Sequence, residues 1–294
     1  MRPAFTGRRQ GARAERGLSL LEFMVSLFIG LMVTGAVASV YVGSARAGRQ
    51  LKAMAQITEE AQLALALLRR DLQLAGSAEP TGVVASTQRF AAPAAPRVVF
   101  GCEQGFTSAV VAVGTAACAA ATSGTPAIEV TFEATADNTV GAYRSADPTD
   151  CVGTAITGNS VTSKRYFTSH RYYVDQGPSG RNELYCGSAV SITPKALAES
   201  VEAIALRYGE ANGWSTSDPS THRPVRYVPA SAVADWSNVV AVRVCLLMRS
   251  GFPVFTTEDV ASYRDCSGTV QTATNRHLYK AFFTTVAIRN KGAV

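Results

Sequence analysis

The chain has 294 residues, 47% hydrophobic and 17% charged, which excludes a disordered polypeptide and is enough for one substantial domain with an appendage. Its formal net charge of +6 looks basic, but five arginines against one glutamate in the first 17 residues account for +4 of it. The +2 left for the remainder argues against a nucleic-acid-binding body.

From Leu18 to Tyr41, Glu22 is the only ionisable group before the terminal tyrosine. At ~1.5 Å per residue, a helix over this segment crosses a hydrocarbon core of about 30 Å. Arginines precede it, and Arg46, Arg49 and Lys52 follow it. Charge counting therefore orients the span only weakly, and we read the N-terminal basic segment as the untranslocated side. A conventional secretory signal is the rival reading, with Ala36-Val37-Ala38 as its cleavage site and Ser39 as the new N-terminus. Against it stand an apolar core longer than the usual ~7–15 residues and a helical pattern that continues without proline from Val40 to Ala75.

In that continuation Leu51, Met54, Thr58, Ala61, Leu65, Leu68, Leu72 and Ala75 recur at spacings of three and four. They predict one buried stripe, with Arg49, Lys52, Glu59, Arg69 and Asp71 falling elsewhere. Gly76 and Pro80 mark the stop. The expected helix, Leu18 to Ala75, is apolar nearly all round in its first half and amphipathic in its second. A plain single-span anchor leaves Glu22 unexplained, because a carboxylate inside a span costs on the order of 2.5 kcal/mol or more.

The rest of the chain reads as strands. Residues 127–134 alternate Ile128, Val130 and Phe132 with Glu129, Thr131 and Glu133, the pattern of a half-buried strand. Residues 171–174 and 183–186 flank a Gly177-Pro178-Ser179-Gly180 loop and predict a hairpin. Further strands are expected over 201–209, 239–248 and 281–290. The Ala/Gly/Thr-rich segment 107–125 has too little bulk for a core and is expected to be an exposed loop. Strands on which an amphipathic helix packs make an α+β fold with an antiparallel sheet.

Six cysteines, Cys102, Cys118, Cys151, Cys186, Cys245 and Cys266, all follow the helix. Six allow 15 pairings. Sequence proximity favours Cys102 with Cys118 and Cys245 with Cys266, which leaves Cys151 with Cys186. No CxxC spacing occurs and His170, His222 and His277 are scattered, so disulfides are preferred to a metal site and no cofactor is expected. GxSxG, HExxH and glycine-rich phosphate loops at strand-to-helix junctions are absent, which argues against catalysis. Arg223, Arg226 and Tyr227, and near the end Lys280, Arg289 and Lys291, are read as solvated faces rather than a nucleic-acid interface.

Gly17 followed by Leu18-Ser19-Leu20-Leu21-Glu22, after an Arg-rich leader, resembles the class III leader of type IV pilins and pseudopilins. The resemblance implies a prepilin peptidase cut between Gly17 and Leu18, N-methylation of Leu18 (the family's first mature residue, usually phenylalanine), and a role for Glu22 in assembly. There Glu22 would meet the new α-amino group of a neighbouring subunit. "ESVEAIALRYG", Trp236 ahead of "NVVAVRVCLLMRS", and the terminal "FFTTVAIRNK" resemble PilW-type minor pilins. The segment 77–170 carries no resemblance. J-type minor pseudopilins of type II secretion systems are the runner-up.

The implied organisation is a leader over 1–17, a transmembrane and pilus-core half-helix over 18–41, an amphipathic half over 42–76, and a periplasmic β-rich head over 77–294. A type IV pilin-like fold would place the long helix against the head's antiparallel sheet. The implied function is priming of a type IV pilus at or near its tip, by a chain held in the bacterial inner membrane before assembly and at the cell surface afterwards. Implied partners are prepilin peptidase, other minor pilins of the FimU, PilV and PilX kinds, the major pilin and a large tip adhesin.

Overall fold

A computed structural model of the protein describes residues 17, 19–84, 87–90, 97–120, 124–142, 147–156, 166–191, 193–215, 217–257 and 259–291. Residues 1–16 of the expected leader, and Leu18, lie outside them. In chain order the elements are α1 (Leu20–Leu74), β1 (Pro80–Val84), β2 (Thr87–Phe90), β3 (Val99–Cys102), β4 (Ala127–Glu133), β5 (Phe167–Gln176) and β6 (Asn182–Ser188). They continue with β7 (Lys195–Ala198), β8 (Val201–Glu210), β9 (Arg226–Val228), β10 (Val239–Arg249), β11 (Ala261–Arg264), β12 (Val270–Ala273) and β13 (Tyr279–Ala287), with short 3-10 turns between. One long helix followed by antiparallel sheets is an α+β arrangement. The chain divides into two compact units, Met1–Arg49 and Gln50–Val294.

In the first unit every helical residue is exposed. In the second, α1 buries Ala53, Ile57, Ala61, Ala64, Leu68, Asp71 and Leu72. The buried stripe is thus displaced from the expected one: Leu51 is exposed, while Met54, Thr58 and Leu65 are half-buried flanks. Ala53, Ala61 and Ala64 share it with the bulky, equally buried Ile57, Leu68 and Leu72. Asp71, expected to point away, faces inward. The helix ends at Gly76, whose φ of +75° suits glycine and whose N–H donates to Thr131 O at 2.9 Å. An added Cβ there would fall 2.5 Å from Asn290 O.

Two larger sheets make up the head, one ordered β3-β4-β5-β6-β7 and the other β13-β10-β8-β9, with β1-β2 and β11-β12 as separate hairpins. All pairings within the larger sheets are antiparallel. One core runs through both sheets and the helix, joining Ile57, Leu68 and Leu72 to Phe132, Tyr172, Leu206 and Val244. Fully burying each such side chain contributes about 1.5–3 kcal/mol.

Two expectations need correction here. Strand β4 is buried on both faces, with Glu129, Thr131 and Glu133 as inaccessible as their apolar neighbours. Glu133 is covered by the chain that follows α1, where Glu79 N–H donates to its carboxylate. Glu129 and Thr131 are covered by the segment 107–125, which is irregular where described but is not a free loop. It buries Gly114 and Ala116, is bonded to Cys102 through Cys118, and meets the sheet through Arg171. A segment too small to make a core still covers one.

Candidate functional site

The apolar segment comes first in the chain. Gly17 is exposed and Glu22 lies in the first helical turn, where a carboxylate complements the helix dipole. The hydroxyls of Ser26, Thr34 and Ser39 donate back to Glu22 O, Gly30 O and Ala36 O at 2.7, 2.5 and 2.8 Å. Local back-bonding of this kind satisfies a hydroxyl without a partner helix. An 18-residue window of α1 has mean hydropathy 2.2, so the helix is long and apolar enough to cross a membrane. The segment is therefore an apolar cylinder carrying one carboxylate near its N-terminus.

The cysteines come together in three bonds, Cys102–Cys118, Cys151–Cys186 and Cys245–Cys266, with Cα separations of 5.3, 6.4 and 5.8 Å. These join the six cysteines in consecutive order along the chain. Each fastens an irregular segment to a strand: 107–120 to β3, 147–156 to β6, and the β11–β12 turn to β10.

Two buried polar clusters were not legible beforehand. Asp71 Oδ2 accepts from His170 Nδ1 and from Tyr172 Oη, both at 2.5 Å. His170 Nε2 accepts the Cys151 backbone N–H at 3.1 Å, so the ring's own proton sits on Nδ1. Burial pushes the Asp71 carboxyl up, but the His170 ring and the hydrogen bonds from His170 and Tyr172 outweigh it and hold it below the usual range. A cavity of about 400 Å³ borders this cluster, with Phe132, Val140 and Leu197 among its walls. Both ring nitrogens of His170 are engaged, one by Asp71 and the other by the Cys151 N–H.

On the sheet's other side Arg171 Nε and Nη2 donate to Glu129 Oε1 at 3.0 and 2.7 Å, and its Nη1 and Nη2 reach Ala109 O and Ala112 O. Arg171 and Glu129 are register partners on β5 and β4. A charged residue in each of two paired strands, on the face opposite the apolar one, was the available signal.

The remaining histidines are apart: His222 stacks on Trp214 at 5.8 Å, and His277 Nδ1 lies 2.6 Å from Ser250 O. Among the described residues no three His, Cys, Asp or Glu side chains come together to hold a metal ion. Of the basic residues, Arg226 is paired with Glu210 and Tyr227 lies beneath Arg243, while Arg223 and Arg289 are exposed. Lys280 approaches Met54 Sδ and the Phe282 ring. Lys291 corrects the solvated reading. It is 4% exposed, donates to Ser237 O and Val239 O, and burial pulls its ammonium down to about 8.

Residues 171–290 match the family model described as PilW, Type IV Pilus-assembly protein W. No curated protein sequence matches the chain. Among solved structures, a type IV-like pilin from Thermus thermophilus, TTHA1219, is similar at 15% identity over 80% of this chain and 98% of that one, with a TM-score of 0.36. That likeness is too slight to bear on the argument. The family match covers β5 to β13, all but the first four residues of β5, and takes in Trp236, which sits edge-on against Phe100 and Tyr208 at 5.1 and 4.8 Å. On that match, residues 171–290 of this α+β chain are similar to the PilW family of type IV pilus-assembly proteins.

Proposed function

We propose that the protein is a minor pilin that primes type IV pilus assembly and works by packing into the pilus rather than by catalysis. The observation that carries this reading is an apolar helical segment holding a single carboxylate, Glu22, in a chain whose later strands match the pilus-assembly family. Prepilin peptidase cleavage between Gly17 and Leu18 would create an α-amino group on Leu18, available for N-methylation. In an apolar helix bundle an amine and a carboxylate that lack each other are costly, so pairing Glu22 with the amine of a neighbour selects register more than it adds net stability. Before assembly the chain sits in the inner membrane with its head in the periplasm, where the three disulfides are compatible with the redox conditions. Its partners at the tip would be minor pilins of the FimU, PilV and PilX kinds, the major pilin and a large adhesin.

N-terminal sequencing of the mature protein should begin at Leu18; Ser39 would instead indicate conventional secretion, and Met1 a plain anchor. Glu22→Ala should be processed yet recovered poorly in sheared pili. Deleting the chain should reduce surface piliation. Intact pili with failed protein secretion would move the assignment to a J-type pseudopilin.

A further inference from the structure

Across β8, β10 and β13 the register places Arg207 opposite Arg243, and Arg243 opposite Thr285. Like charges directly opposite each other on neighbouring strands are destabilising, so the sheet holds this pair against its own preference. Both arginines are exposed, and among the described residues neither is in an ion pair. Arg243 is held over the Tyr227 ring at 4.4 Å, and Arg207 spends one donor on Leu206 O at 3.2 Å, which leaves most guanidinium donors unspent.

The pair lies in an open groove of about 580 Å³ with Phe283 and Thr285 on one side and Ser267 on another. Phe283, on the edge strand β13, is 56% exposed. The Cys245–Cys266 disulfide fixes the turn that carries Ser267 against β10. A fixed wall, two exposed guanidiniums that are in no ion pair among the described residues, and an exposed aromatic ring make a preorganised surface of the kind that anchors protein partners.

We propose that this groove is a docking site for an acidic, extended polypeptide segment of a partner protein, whose carboxylates are gripped by Arg207 and Arg243 and whose apolar side chain lies on Phe283. Charge complementarity selects that occupant. Facing arginines on adjacent strands, their Cβ atoms about 5 Å apart, suit successive carboxylates along a chain. Two cations beside an apolar ring are too few for a nucleic-acid backbone track. The inference does not depend on the pilus reading, since it concerns a surface of the folded head.

The test uses the full-length protein in detergent micelles and a fluorescent peptide of alternating glutamate and leucine, followed by anisotropy. Binding should weaken with salt, and Arg207→Glu with Arg243→Glu should reduce affinity by roughly tenfold or more. Arg289→Glu, an exposed charge outside the groove, should leave affinity unchanged. Thr285→Glu keeps both arginines and sets a carboxylate opposite Arg243, so it should also weaken binding by occupying the site from within. Near-UV circular dichroism and the intact Cys245–Cys266 bond verify folding of each variant. Undiminished binding by the double reversal and by Thr285→Glu overturns the proposal. So does no binding at low salt, equal loss with Arg289→Glu, displacement by equimolar inorganic phosphate, or tighter capture of a single-stranded oligonucleotide at the same arginines.

Discussion

Asp71 of the helix and His170 of β5 meet at 2.5 Å inside the head, and the ring's far nitrogen holds the backbone of Cys151. A single carboxylate on the helix thereby ties α1 to the sheet and, through His170, to the loop that Cys151–Cys186 fastens to β6.

Asp71→Ala should lower the stability of the head by about 3 kcal/mol, because it removes two hydrogen bonds to a charged group and leaves a buried Tyr hydroxyl and His N–H unpaired. The midpoint of urea unfolding, followed by near-UV circular dichroism, measures this. The carboxyl is held low in the folded state, so its contribution is fully present above the unfolded value of about 3.9 and is lost as pH falls through the lower folded value. Wild type should lose more stability than Asp71→Asn on acidification below about pH 4.

Removing one member of the buried Arg171–Glu129 pair should cost about 3–5 kcal/mol, since it strands a charge with no route to water. Arg171→Met should go further than destabilise, because the same side chain holds Ala109 O and Ala112 O. Hydrogen exchange should show faster exchange across 107–118 in this variant, with protection in β8 and β10 little changed.

Each disulfide closes a loop, with sequence separations of 16, 35 and 21 residues. Replacing any pair by serine should cost about 3 kcal/mol. Replacing Cys245 and Cys266 should loosen the β11–β12 hairpin selectively, whereas replacing Cys151 and Cys186 should also weaken the hold on His170. Limited proteolysis of the paired variants distinguishes the two outcomes by where the first cuts fall.

Lys291 should make stability rise with pH in alkali. Burial lowers its ammonium to about 8 in the folded head, against about 10.4 in the unfolded chain. Between those values the unfolded chain binds more protons, so folding becomes more favourable as pH rises. Thermal unfolding compared at pH 8 and near pH 10 should show this gain in wild type, and Lys291→Met should abolish it.

How much of this was readable beforehand depended on whether the signal was local. The apolar run around Glu22, the hairpin flanking Gly177 to Gly180 and the strand over 239–248 were legible, because composition and turn chemistry act within a few residues. The stripe on α1 was found from Ala61 through Leu68 and Leu72 to Ala75 and displaced at Leu51, Met54, Thr58 and Leu65, because period alone does not fix which side of the stripe meets the strands. Glu129 and Asp71 were misplaced for a shared reason. Both were assigned to an outer face, and both are covered by residues far away in the sequence: Arg171 for one, His170 and Tyr172 for the other.

The sequence by itself determined the long helix with its lone N-terminal carboxylate, the succession of strands, the cysteine count and the resemblance to pilus subunits, all of which rest on neighbouring residues. Only the tertiary structure decided that β4 is enclosed on both faces, that Lys291 is buried, and that Arg207 and Arg243 stand opposite each other, with neither in an ion pair among the described residues. Those outcomes depend on which distant segments come to lie over a surface, and burial, pairing and desolvation are properties of that meeting rather than of either segment alone.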